Sequence, residues 1–298
     1  MVEATVDIGT LGVWFFTETM AAPQAGEFAA RIESLGYGAL WIPETVGRDP
    51  MAHIGYLLTQ TERLTMATGI ANIYHRHPGA MAQAQSTLCE QSNNRFLLGL
   101  GVSHAPMVEG LRQLDASKPL STMRTYLEAM DASPYMAPPP PAAPTTVLAA
   151  LGPKMLELAR DKTAGAHPYW TTPEHTAQAK EILGDDKMLC VEQKLVLTTD
   201  ADVARKAGRD ALAMYSSLPN YRNNWLRLGF TEADIDTDGG SDRLIDALVG
   251  WGDEAALVAR VQEHRDAGAT HVCIQPLPTD GAPGEPNWDL LTALAPNS

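Results

Sequence analysis

The chain has 298 residues, 45% of them hydrophobic and 19% charged, with a formal charge of −14. That composition is ordinary for a folded globular enzyme and excludes a disordered polymer. The acidic balance argues against a nucleic-acid or anionic-membrane binder, since phosphate recognition needs a basic footprint. An α/β barrel folded as one domain over residues 1–298 suits the length, because such barrels run to ~250 residues or more. The three cysteines, Cys89, Cys190 and Cys273, are odd in number and widely spaced. They read as reduced thiols of a cytoplasmic protein rather than a disulfide framework or a zinc site. The first residues, MVEATVDIGTLGVWFF, carry acids where a secretory leader needs bases. No apolar run approaches ~18 residues, so neither a signal peptide nor a membrane span is expected.

Short apolar runs alternate with amphipathic stretches along the chain, the pattern of parallel βα units. Residues 11–16 (LGVWFF) make a first strand. Residues 24–35 follow as a helix, with Phe28, Ile32 and Leu35 at helical spacing and Gly36 where a helix end favours glycine. Strand two is 39–42 (ALWI), stopped by Pro43, and a helix spans 50–61. Strand three is 64–70 (LTMATGI), after which Pro78 opens a helix to about Gln91. Residues 95–100 (RFLLGL) give strand four and residues 121–132 a helix. The proline-rich 134–144 stretch admits neither helix nor inner strand and reads as a surface connection. Strand five is 145–150 with a short helix over 153–161. Strand six, near 163–167, is weak and precedes a helix over 173–183. Strand seven is 188–197 (MLCVEQKLVL), followed by a helix over 200–215 capped by Asp200. A long excursion over 216–252 holds helices near 219–228 and 241–250. An outer helix over 253–267, strand eight over 270–275 and a short helix over 288–294 close the chain.

Eight strands in βα order are the number that closes a (β/α)8 TIM barrel, provided strand six is real. The alternative is a doubly wound open sheet, although no GxGxxG follows strand one as a dinucleotide-binding version would require. The sequence has no GxSxG elbow, no P-loop lysine motif and no HExxH, so serine hydrolysis, nucleotide hydrolysis and a metal centre are not indicated.

The stretch RLTMATGIANIYHRHPGAMAQAQSTLCEQSNNRFLLGLGVSH (63–104) resembles strands three and four of the luciferase-like monooxygenase superfamily. The matching residues are Thr68-Gly69, Arg76 with Pro78, Thr87-Leu88, and Arg95-Phe96 through Gly99 and Gly101. AARIESLGYGALWIPE (29–44) resembles that family's first helix and second strand, and AGATHVCIQ (267–275) its last strand. The likeness covers most of the chain and is nearest to the branch of oxidoreductases that use coenzyme F420, a deazaflavin. It implies a luciferase-like TIM barrel that binds F420, with FMN as the alternative.

In such a barrel the working residues stand at the C-terminal strand ends. The resemblance makes Glu44 and His104 the candidate catalytic pair. The F420 branch often carries a histidine at the first position and an acid at the second, so the two look exchanged here. An imidazole with an ordinary pKa of ~6.5 suits proton transfer near neutrality. The resemblance also implies a non-prolyl cis peptide at Gly69-Ile70 behind the deazaflavin ring. Asn72 and His75 could meet the ring's polar edge. Gly152, Pro153 and Lys154 open a helix whose free amides suit the cofactor's phosphate. Gly165 and His167 are candidates for the cofactor tail. Trp14, Phe16, Tyr169 and Trp170 are candidate substrate walls, although aromatic residues of this kind more often pack a core. The expected function is hydride transfer between the deazaflavin C5 and a small organic substrate, in a homodimer. An FMN-dependent monooxygenase and a non-catalytic F420-binding protein are the rival readings.

Overall fold

The computed structural model describes residues 6–279 and 284–296. In chain order its elements are β1 (Leu11–Trp14), α1 (Ala22–Ser34), β2 (Ala39–Ile42), α2 (Pro50–Leu58), β3 (Thr65–Thr68), β4 (Ala71–Asn72), α3 (Pro78–Gln91), β5 (Phe96–Gly101), α4 (Pro119–Asp131), β6 (Thr145–Leu148) and α5 (Pro153–Lys162). There follow β7 (Gly165–Ala166), α6 (Pro173–Leu183), β8 (Met188–Leu197), α7 (Ala201–Leu212), α8 (Pro219–Arg227), α9 (Glu232–Asp236), α10 (Asp242–Leu248), β9 (Val249–Gly252), α11 (Glu254–Asp266), β10 (His271–Pro276) and α12 (Trp288–Ala293).

The strands pair in parallel, and β10 hydrogen-bonds both β1 and β8, which closes the barrel. Strand three of the sequence reading is two pieces. β3 pairs with β2 and β5, the chain breaks step at Gly69-Ile70, and β4 resumes pairing with Leu100 and Gly101 of β5. The weak strand six is real but only two residues long. Gly165 explains its faint pattern: a Cβ there would fall 1.9 Å from the Met188 carbonyl oxygen, so the strand must be glycine where it meets β8. β9 is the element the pattern missed, since the sequence reading carried a helix through to residue 250. Its VGWG run is short and half glycine, yet it pairs with Lys194–Leu197 of β8.

Side chains alternate across the barrel wall as a period of two requires. Ala39, Trp41, Ala67, Leu97, Val147, Cys190 and Cys273 fill the interior. Val13, Leu40, Met66, Leu98, Leu148, Val191 and Ile274 face the helices and build the main core. Each such aliphatic side chain contributes roughly 1.5–3 kcal/mol through burial. Proline opens α2 through α6 and α8, where its missing N–H costs nothing. Asp49, Asp200, Ser241 and Asp253 cap helices through their side chains. A second apolar cluster, including Trp170, Leu212, Tyr221, Trp225, Ile245 and Leu248, ties the 198–252 excursion to the rim.

Buried imidazoles cross-link these layers in neutral form. His271 Nδ1 donates to the Gly9 carbonyl at 2.9 Å, and its Nε2 accepts from Trp41 Nε1 at 3.1 Å. His264 bridges Gln193 Oε1 at 2.6 Å and Thr176 Oγ1 at 2.8 Å, joining α11, β8 and α6. Burial pulls His53, His167 and His271 down to about 4 and His264 to about 3. Their folded-state pKa values lie below the unfolded value near 6.5, so the unfolded chain binds more protons in between. Stability is therefore complete above pH ~6.5 and is lost as pH falls toward 4, each histidine costing up to ~1.4 kcal/mol per pH unit. Urea denaturation should show a midpoint that drops steadily from pH 7 to pH 5; a flat midpoint would contradict the neutral-histidine assignment.

Candidate active site

The C-terminal strand ends carry most of the chemistry the sequence singles out. Glu44 follows β2, and its side chain is only 5% exposed. Its carboxylate accepts from the Asn72 N–H at 2.7 Å, from His75 Nδ1 at 3.0 Å and from Arg76 Nη1 at 2.8 and 2.9 Å. A carboxylate only accepts, so Nδ1 carries the His75 proton and Nε2 is left to accept from Asn72 Nδ2 at 3.1 Å. Asn72 Oδ1 in turn takes the Tyr74 N–H. Thus Glu44, Asn72 and His75 come together, but they bind one another. The acid–imidazole pair that forms is Glu44–His75, in place of the expected Glu44–His104 coupling.

The knot braces the interruption in strand three. Glu44 N–H also donates to the Ile70 carbonyl, and Gly69 N–H to the Ile42 carbonyl. The Gly69-Ile70 peptide is cis. Gly69 lies against the Trp14 indole, where a Cβ would sit 2.4 Å from Nε1. On the neighbouring β5 a Cβ at Gly101 would collide with Ile70 Cδ1 at 2.3 Å. Glycine at both places lets the bulge press between β1 and β5.

His104 follows β5 and a left-handed Ser103. Its ring lies 5.5 Å from that of Tyr221, and its Nδ1 is buried with no partner. Burial pulls its pKa below the ordinary value, opposed by a hydrogen bond with Asn220. The residues after it form a π-helical turn, Pro106–Leu111.

Trp14 packs edge-on against Phe16 at 4.7 Å and tilts toward Tyr169 at 5.0 Å. Phe16 and Tyr169 keep partial exposure, whereas Trp14 and Trp170 are buried. Trp170 belongs to the second cluster, and its carbonyl accepts from Trp225 Nε1 at 3.1 Å. Gly165 and His167 lie inside the barrel. His167 stacks on Trp41 at 4.3 Å and donates through Nδ1 to the Cys190 carbonyl, away from the accessible rim. Gly152 caps α5 without a side chain, with Pro153 and Lys154 exposed beside it.

Sequence reasoning missed a buried ion pair on β8. Lys194 Nζ meets Glu192 Oε2 at 2.8 Å, both side chains 1% exposed. The ammonium also sits 3.7 Å from the Tyr169 ring centroid and 3.8 Å from that of Trp170. Burial pushes Lys194 down to about 8, against the pull of Glu192, and pushes the Glu192 carboxyl up. The alternation Cys190, Glu192, Lys194 already aimed both charges inward, and that was the available signal. Also missed were Asn220, Tyr221, Asn224 and Arg227, which the excursion carries back to the rim on α8. Among the described residues no cluster of three metal-ligating side chains occurs, and no helix is long and apolar enough to cross a membrane.

Among the described residues several buried polar side-chain atoms have no partner, including Trp14 Nε1, His104 Nδ1, Glu192 Oε1 and Asn224 Nδ2. Orphans of this kind are unusual in a finished interior and suit a ligand that completes them. Of the small residues at these strand ends, Gly69, Ala149 and Gly152 retain partial exposure.

A family model described as luciferase-like monooxygenase matches residues 7–271. A Mycobacterium tuberculosis (strain ATCC 25618 / H37Rv) protein, provisionally named a coenzyme F420-dependent oxidoreductase, is 25% identical over 279 residues, covering 77% of this chain and 80% of its own. An F420-dependent secondary alcohol dehydrogenase, solved with an F420–acetone adduct, has a TM-score of 0.73 at 16% identity, covering 90% of this chain and 93% of that one. The F420-dependent tetrahydromethanopterin reductase of Methanopyrus kandleri has a TM-score of 0.72 at 16% identity, covering 98% of each chain. The FMN-bound oxygenating constituent of 3,6-diketocamphane monooxygenase from Pseudomonas putida has a TM-score of 0.68 at 14% identity, covering 97% of each. At such identities these structures share the fold.

The β8 ion pair has a measurable signature. Lys194→Met strands a buried carboxylate and should cost roughly 3 kcal/mol of unfolding free energy. Adding Glu192→Leu should restore most of it, and a double variant as unstable as Lys194→Met alone would show that the pair is not the cause.

Proposed function

The chain belongs to the luciferase-like monooxygenase family, and from that premise we propose that it is a coenzyme F420-dependent oxidoreductase acting on a small organic substrate. The observation that carries the reading is the Trp14 Nε1 donor beside Gly69, buried without a partner among the described residues, next to the partly exposed Gly69-Ile70 segment where strand three is interrupted. A buried donor without an acceptor suits a ligand that completes it, and an anionic tail needs free amides, which the start of α5 offers.

The residues that would hold the ring are Gly69 and Ile70, braced from behind by the Glu44, Asn72 and His75 knot. Gly152, Pro153 and Lys154 would receive the tail. When bound, the deazaflavin supplies hydride chemistry at C5. The protein's own part is to orient, exclude water and manage one proton. Phe16 and Tyr169, backed by the buried Trp14, would give the substrate apolar walls. Glu44 has both oxygens occupied by strong donors, so its part is positioning. His104 has a free Nδ1 and can give or take a proton there without breaking a bond at that atom.

Two measurements test this. Titration of the purified protein with F420 should quench fluorescence with a dissociation constant below about 100 µM, while FMN and nicotinamide cofactors bind far more weakly. Failure to bind F420, or tighter binding of FMN, would overturn the cofactor assignment. With any aldehyde, ketone or enone that oxidises reduced F420 on the protein, His104→Ala should lower turnover about 100-fold or more and leave F420 affinity nearly unchanged. Unaltered turnover would remove His104 from proton transfer.

A further inference from the structure

We propose that the substrate is a neutral, largely apolar ketone or aldehyde, and that Tyr169 enforces this by covering the Lys194 ammonium; the proposal rests on the F420 reading above and names the substrate class for that site. Ring contacts run from the end of β1 to His104. Phe16 meets Trp14 at 4.7 Å, Trp14 meets Tyr169 at 5.0 Å, and Tyr169 meets Tyr215 at 5.6 Å. Tyr215 meets Tyr221 at 5.3 Å, and Tyr221 meets His104 at 5.5 Å. Phe16, Tyr169, Tyr215 and His104 keep partial exposure along this belt. Tyr169 O–H donates to Gln275 Oε1 at 3.0 Å, and its oxygen lies 3.4 Å from that of Tyr215, so these hydroxyls are bonded within the wall. Such a surface suits an apolar body and leaves the substrate oxygen to the imidazole at the end of the belt. There the carbonyl carbon gains a hydride, the C=O π pair moves to oxygen, and that oxygen takes a proton. Carbonyl compound and reduced F420 become alcohol and oxidised F420.

Positive charge is withheld from this belt. Lys194 stands opposite Gln275 in the register of β8 and β10. Its Nζ bonds Glu192 Oε2 at 2.8 Å and is covered by the rings of Tyr169 and Trp170, whose centroids lie 3.7 and 3.8 Å away. The turn that carries these rings is fixed to the same carboxylate. Trp170 has a left-handed backbone, φ 57°, which is costly for an aromatic residue, and its N–H donates to Glu192 Oε2 at 3.3 Å. Its carbonyl accepts from Trp225 Nε1, and the Glu192 N–H donates to the Pro168 carbonyl at 3.2 Å. Other cations at the strand ends are engaged as well. Arg48 is bonded to the Thr17 and Met20 carbonyls, and Arg76 to Glu44 and Asp49. Lys154 and Arg227 stand near Gly152, where the cofactor tail is placed above. An anionic substrate on the belt would lose hydration and find no cation in exchange, in a chain of net charge −14. A neutral carbonyl compound meets no such penalty.

The test follows oxidation of reduced F420 by absorbance with cyclohexanone and p-tolualdehyde, and with the same frames bearing a carboxylate, oxocyclohexanecarboxylate and p-formylbenzoate. Wild type should turn over at least one neutral compound, with kcat/KM roughly 100-fold or more above that of its anionic counterpart. Tyr169→Ala uncovers Lys194 and should narrow that ratio about tenfold or more, mainly by lowering KM for the anionic compound. Tyr169→Phe keeps the ring over the ammonium and should keep the wild-type ratio, whatever it does to the rate. A Tyr169→Ala ratio equal to that of wild type, or a Tyr169→Phe ratio as narrow as that of Tyr169→Ala, removes the covering role of the ring. If wild type binds F420 but prefers the anionic compounds, accepts both kinds equally or turns over none of them, the inference is overturned and the F420 reading stands. If wild type does not bind F420, that reading fails and takes this inference with it.

Discussion

The rim depends on one buried carboxylate. Glu44 stands where β2 ends, and four donor contacts from Asn72, His75 and Arg76 converge on it. Removing a carboxylate from water is expensive, and the cost is met here by a guanidinium and correctly protonated neighbours. The consequence is geometric. The segment between β3 and α3 would otherwise be a free loop; tied to Glu44, it becomes a wall whose backbone is fixed in front of the barrel. Everything proposed to lie across the rim leans on that wall.

Most of the barrel was legible because its signals are local. Short continuous apolar runs such as ALWI and FLLGLG, and proline at helix starts, each act over a few residues. The two places where the pattern faltered have physical causes. β7 is reduced to two residues by a glycine that meets the β8 backbone, and β9 is a VGWG run with little side-chain signal of its own. The strand-three interruption was readable only through the family likeness, since Gly69 by itself is compatible with any close packing.

The candidate site was legible in part. Glu44, Asn72 and His75 were each marked by their position after a strand, and they do cluster. Sequence order could not say that they satisfy one another, because that depends on which nitrogen of His75 faces which acceptor. Lys194 and Glu192 were hidden inside an apolar run, where charged residues are easily read as interruptions of it. Arg227 was out of reach altogether: it lies about 70 residues beyond Gly152 in sequence, and the excursion brings its guanidinium beside that glycine.

The in-register pairing of β9 with the far half of β8 gives the excursion two ends anchored in the same sheet, side by side. Its exit and re-entry points are therefore fixed relative to the barrel whatever the intervening chain does. Such an arrangement is a cassette. The span from Ala213 to Ser241 leaves and returns at one edge of the cylinder, and its Tyr221 and Trp225 present their surface to the rim through the second apolar cluster. What faces the rim from this side is thus carried on one segment with a fixed mounting.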